Sequence, residues 1–199
     1  MRLISQSNAQ AALAPYHDTL RACVEAAWAH WQEIRSHFPL CSRSGRRHVM
    51  HEFILQEVRS RFGDTIGVKI SERGRFLLTM ENIVLRFKWV NQQFQTSNFA
   101  TPSAIAFDTQ LRLPGVPHGV RLTIGYQVNE LETELVGVFI ILSRGKDVLW
   151  KYEIGKDDGA QVIMFPQEHS PARPGSRIRP KKPKTPGDAQ TPESGTEPK

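Results

Sequence analysis

No stretch of this 199-residue chain is apolar for long enough to cross a bilayer as a helix. The most apolar run, LVGVFIIL, has 8 residues, where about 20 are needed. Cysteine is nearly absent. Cys23 and Cys41 are the only two, one pair at most, too few for a disulfide scaffold, and both fall in or beside predicted helices, so reduced thiols are expected. The N-terminal MRLISQSNAQAALAP carries one Arg and no apolar core of leader length. These shortages lead to the expectation of a cytoplasmic protein without membrane contact.

The motifs of common chemistries are missing as well. There is no GxSxG, no GxGxxG and no phosphate-binding P-loop. HVMHE places His48 and His51 three apart but lacks the HExxH order, and no cysteine or acidic cluster completes a metal site. Asp64, Glu72 and Glu81 do not converge as nuclease carboxylates, because Glu72 and Glu81 fall in predicted turns. Glu130, Glu132 and Glu134 sit in a hairpin turn and are expected to point into water. Cys41, near Arg43, Arg46 and Arg47, is the one thiol whose surroundings could favour a thiolate. No cofactor or metal is expected, and the chain is read as non-enzymatic, with an enzyme of unrecognised class as a further alternative.

What is present is an ordinary apolar content, 39%, enough for one core, and an uneven excess of positive charge. Residues 1–91 hold 13 Lys/Arg against 8 Asp/Glu, residues 92–160 hold 6 against 8, and residues 161–199 hold 7 against 4. The basic character therefore lies in the N-terminal half and in the tail, and the sequence pI is about 9.6.

Residues 1–14 show no clear period and are expected to be an arm. From Pro15 to Phe38, the residues Leu20, Val24, Trp28, Trp31, Ile34 and Phe38 recur at spacings of three and four, the stripe of a helix that Pro39 stops. A second helix is predicted over about 46–62, with Met50, Phe53, Ile54, Val58 and Phe62 on its apolar side and Ser42 or Ser44 as its cap. GVKI, RFLLTM and IVLRFKWV, separated by SERG and Glu81-Asn82, predict a three-stranded antiparallel meander. Thr101-Pro102 opens a short helix and Pro114-Gly115 ends it. VRLTIGYQV, TELVGVFIILS and DVLWKYEI predict a second meander, with the middle strand buried on both faces and Gly145 at its turn. The fold class expected is α+β: an antiparallel sheet of about six strands, two three-stranded meanders joined by a short helix, packed by two N-terminal helices. No βαβ unit is expected. The domain is expected to span 15–160.

After about residue 161 the composition changes. Eight of the 13 prolines fall between 166 and 198. This tail is expected to be disordered and Pro-rich, with a polycationic block in Arg177, Arg179, Lys181, Lys182 and Lys184.

Two binding roles compete. In the first, the chain is a protein-interaction module, an adaptor or an antitoxin- or immunity-like partner, with Trp28 and Trp31, which share a helix face and read as core or interface anchors, as its interface or homodimer candidates. In the second, it is a nucleic-acid-associated regulator. The phosphate-contacting candidates are then Arg46 and Arg47 on the second helix, Lys69, Arg73, Arg75, Arg86 and Lys88 in the first meander, and the basic tail. In NIVLRFKWVN, Phe87 and Trp89 alternate with Arg86 and Lys88. The aromatics are thus expected to face the core and the cations to face water, which is not the arrangement of a stacking platform.

Overall fold

The structure is a computed structural model and describes residues 3–39, 41–71, 76–96, 101–111 and 118–155. The chain divides into two units, Met1–Val162 and Ile163–Lys199, and every described residue lies in the first. The expectations for the tail, for the SERG turn and for Pro114-Gly115 fall outside the described residues.

Among the described residues, four α-helices and six strands form in the order α1 (Gln6–Leu13), α2 (His17–Ile34), α3 (Arg43–Phe62), β1 (Val68–Ser71), β2 (Leu77–Met80), β3 (Ile83–Trp89), α4 (Pro102–Asp108), β4 (Val120–Val128), β5 (Leu135–Arg144) and β6 (Asp147–Glu153). The long apolar stripes are where the helices form. α2 buries Leu20, Cys23, Val24, Ala27 and Trp31, and a 3-10 turn over Arg35–His37 finishes it. α3 buries Met50, Ile54, Leu55, Val58 and Phe62; Ser42 caps it by accepting a bond from the Gly45 amide at 3.1 Å.

α1 corrects the reading of residues 1–14 as an arm. Ser5 caps it, accepting from the Asn8 amide at 3.3 Å, and Ala9 and Leu13 are fully buried in the main core. Two small or single apolar contacts on an Ala-rich turn leave no period to detect, and tertiary packing makes the helix.

The strands lie in sequence order, β1 to β6, in one sheet. Each set of three is antiparallel, but β3 and β4 are parallel, from Ile83 opposite Val120 to Trp89 opposite Tyr126. The sheet is therefore mixed, and β3–α4–β4 is a crossover unit, contrary to the expectation of none. A parallel pair requires a connection of a dozen or more residues, and the segment from Val90 to Gly119 supplies it. Thr101 caps α4, accepting from the Ala104 amide at 3.2 Å, with Pro102 at the first helical position. β5 is an inner strand, buried from Val138 to Leu142 except for half-buried Phe139.

Strand alternation divides the sheet into two faces. Leu78, Met80, Leu85, Phe87, Leu122, Ile124 and Tyr126 on the inner strands, with Val138, Ile140 and Leu142 on β5, pack under α1, α2 and α3. Each such side chain contributes about 1.5–3 kcal/mol by leaving water. The opposite face carries Leu77, Val84, Arg86, Lys88, Arg121 and Thr123. There α4 adds Phe107 to a second, small core with Leu77 and Val84.

Candidate anion-binding site

β2 covers β3 only as far as Leu85, which lies opposite Leu78. Beyond that point, among the described residues, β3 has no ladder partner on this side. α3 and α4 flank the opening, and a cavity of about 250 Å³ lies there. Arg86 and Lys88 line it from β3, His51 from α3, and Thr101, Ser103 and Phe107 from the α4 side.

Arg86 is not exposed, which overturns the expectation for the NIVLRFKWVN strand. Only 7% of it is accessible. Its Nε donates to Thr123 Oγ1 at 3.1 Å, its Nη2 donates to Asp108 Oδ1 at 2.5 Å, and its guanidinium lies 4.1 Å from the centre of the Phe107 ring. Burial works against both charges of the pair. It pulls the guanidinium below its ordinary range, which Asp108 opposes, and pushes the Asp108 carboxyl up, which Arg86 opposes. An arginine remains charged under such pressure, so the pair persists as an ion pair.

Lys88 is half-buried and, among the described residues, has no hydrogen-bond or ion-pair partner. Burial and then the neighbouring Arg86 charge hold its amine below the usual lysine range, with Asp108 opposing. His51 is half-buried beside it. Burial, and next the Lys88 charge, hold its imidazole below 6.5; Glu52 opposes this and His48 adds to it. The cavity thus combines one lysine amine that makes no ion pair among the described residues, a neutral imidazole, and the Thr101 and Ser103 hydroxyls. Asp108 is already committed to Arg86. Such a set favours an anion.

The other predicted basic residues are dispersed. Arg46 is half-buried: its Nε donates to Glu132 Oε2 at 2.6 Å and its Nη1 to the Cys41 carbonyl at 2.7 Å. Arg47 lies over the Trp89 ring, 4.9 Å from its centre. Lys69 is exposed on β1. Arg73, Arg75, Arg177, Arg179, Lys181, Lys182 and Lys184 lie outside the described residues. Arg121, which the sequence did not single out, is buried on the α4 side of the sheet; its Nη1 donates to the Ala106 carbonyl at 3.1 Å, and its backbone exchanges two bonds with the Gln110 amide.

Trp31 is 3% exposed and belongs to the main core, the core alternative of its two readings; Trp28 is half-buried against the same core. Glu132 also departs from expectation, because its side chain is 11% exposed and held by Arg43 and Arg46. The partners lie 86 and more residues away along the chain, so no local pattern announces them. Cys23 is fully buried, Cys41 is half-buried, and both are free thiols. Among the described residues no three His, Cys, Asp or Glu side chains gather as metal ligands, and no helix is long and apolar enough to cross a membrane.

Comparison with family models, with curated proteins and with solved structures gives no match for this chain.

Proposed function

We propose that this chain is a cytoplasmic binding protein that acts without catalysis, and that the cavity beside β3 receives an anionic group carried by a protein partner. One observation carries the reading: Lys88 is half-buried and, among the described residues, makes no ion pair or hydrogen bond, in a cavity lined by His51, Thr101 and Ser103. A carboxylate or phosphorylated side chain would satisfy it with charge-assisted bonds. Free Cys23 and Cys41 suit a reducing compartment.

A nucleic-acid partner is the less favoured reading. A polyanion is held by several exposed cations along one track. Arg46 is tied to Glu132 and Arg86 to Asp108, and a recessed cavity suits a single terminal group.

The test is titration of inorganic phosphate into the full chain at constant ionic strength, followed by NMR of the His51 ring. The expected result is a saturable shift, a rise in the His51 pKa, and at least tenfold weaker binding in Lys88→Met. A linear shift, or an unchanged response in the variant, would sink the site. A pull-down with and without nuclease then separates the partner classes. Loss of bound protein after nuclease, with steep salt dependence, would turn the reading to nucleic acid.

A further inference from the structure

A second cavity, of about 270 Å³, lies elsewhere on the molecule, where the end of α2 and the start of α3 meet the turn between β4 and β5. Three guanidinium groups line it: Arg35, Arg43 and Arg46. Two carboxylates, Glu130 and Glu132, line it as well, and Glu132 has Arg46 Nε at 2.6 Å and Arg43 Nε at 3.1 Å. Arg35 Nη1 is held by the Gln32 side-chain oxygen at 2.8 Å and by the Glu132 carbonyl at 3.3 Å. Arg43 is 65% exposed, and only its Nε is engaged among the described residues. Three guanidinium groups against two carboxylates leave the bowl with one positive charge in excess.

The rim is apolar. Phe38 is 46% exposed and Leu131 80% exposed, and both line the cavity with Pro39. Large apolar side chains standing in water beside guanidinium groups have the composition of an interface, where arginine and aromatic residues are enriched. The turn that presents Leu131 is tied by its own hydrogen bonds. Asn129 Oδ1 accepts from the amides of Thr133 at 2.8 Å and Glu134 at 3.3 Å, and Glu132 is held at φ +53°. An order imposed in advance lowers the entropic cost of binding.

We infer that this bowl docks a protein segment in which an acidic side chain adjoins an apolar one. The carboxylate would meet the free end of Arg43 and the exposed part of Arg35, and the apolar neighbour would lie between Phe38 and Leu131. Charge decides against a nucleic acid here, because Glu130 and Glu132 line the same cavity and would repel successive phosphates of a backbone, whereas one carboxylate needs only the arginine side. This inference is independent of the Lys88 cavity.

The test is selection of a phage-displayed random dodecapeptide library on the full chain. The expected result is a consensus with an acidic residue beside an apolar one. Binding of the selected peptide should fall at least tenfold in Arg43→Ala and in Leu131→Ser, and remain unchanged in Lys88→Met. Both side chains are largely exposed, so the variants should keep the parental melting temperature, which circular dichroism checks. Failure to select any peptide, a consensus without acid, or binding indifferent to Arg43 and Leu131 would each overturn the inference.

Discussion

Arg86 on β3 and Asp108 at the last residue of α4 form an ion pair that fastens the crossover to the sheet it spans. The side chains are 8% and 18% exposed, so neither can turn to water for relief. Asp108→Ala would leave a buried cation without a counter-charge, at a cost of about 3–5 kcal/mol. The double variant Arg86→Met, Asp108→Leu should recover most of that loss. Urea unfolding measures both, and a single variant within about 1 kcal/mol of the parent would show that the pair does not hold α4.

His51 and Lys88 are coupled through the cavity they share. The folded state holds the His51 pKa below 6.5, so it disfavours the charged ring. The resulting stability is present above pH 6.5 and is lost as pH falls through the folded pKa. In Lys88→Met the second-largest lowering influence disappears, so the His51 pKa should rise toward 6.5. NMR titration of the ring reads this directly, and an unmoved midpoint would separate the two groups.

Cys23 gives the opposite limit of pH. Burial pushes its thiol from 9.0 up to about 12, so the fold excludes the thiolate. The stability this represents is complete below pH 9 and is lost between pH 9 and about 12, at a slope of up to about 1.4 kcal/mol per pH unit. Cys23→Ala should flatten the alkaline side of the stability profile. In native protein a thiol reagent should label Cys41 alone, with Cys23 following only in denaturant.

The two tryptophans of α2 should separate in energy. Trp31→Ala removes a buried aromatic and should cost about 3–5 kcal/mol. Trp28 is half-buried, so Trp28→Ala should cost clearly less. Equal and small effects would return Trp31 to the role of a surface anchor.

The parts of the fold legible in the sequence were those with strong periodicity. α2, α3 and both meanders follow from their stripes and alternation, and Thr101-Pro102 marks the start of α4 without ambiguity. The parity of Arg86 and Lys88 was also legible, since they do face away from Phe87. What covers that parity was not. A strand records which side chains share a face, but the cover comes from Phe107 and Asp108 after the intervening loop. The parallel joint was hidden for the same reason, because the partner of an inner strand is chosen by the path of the connection. His51 was noticed only beside His48 as a failed metal motif; its closeness to Lys88 depends on how α3 lies over β3.

The parallel joint also sets a time order. Each meander pairs neighbours along the chain, whereas β3 can find β4 only when the segment from Val90 to Gly119 has closed. Loop closure costs entropy before its contacts return any stability. Joining the two meanders should then be the slow step of folding. Gly119 reports on it, because a Cβ there would stand 2.5 Å from the Asn82 carbonyl oxygen at the first rung of the joint. Gly119→Ala should slow refolding and leave the unfolding limb of the chevron nearly unchanged. A faster unfolding limb would place the joint after the barrier, with the two halves of the sheet docking late.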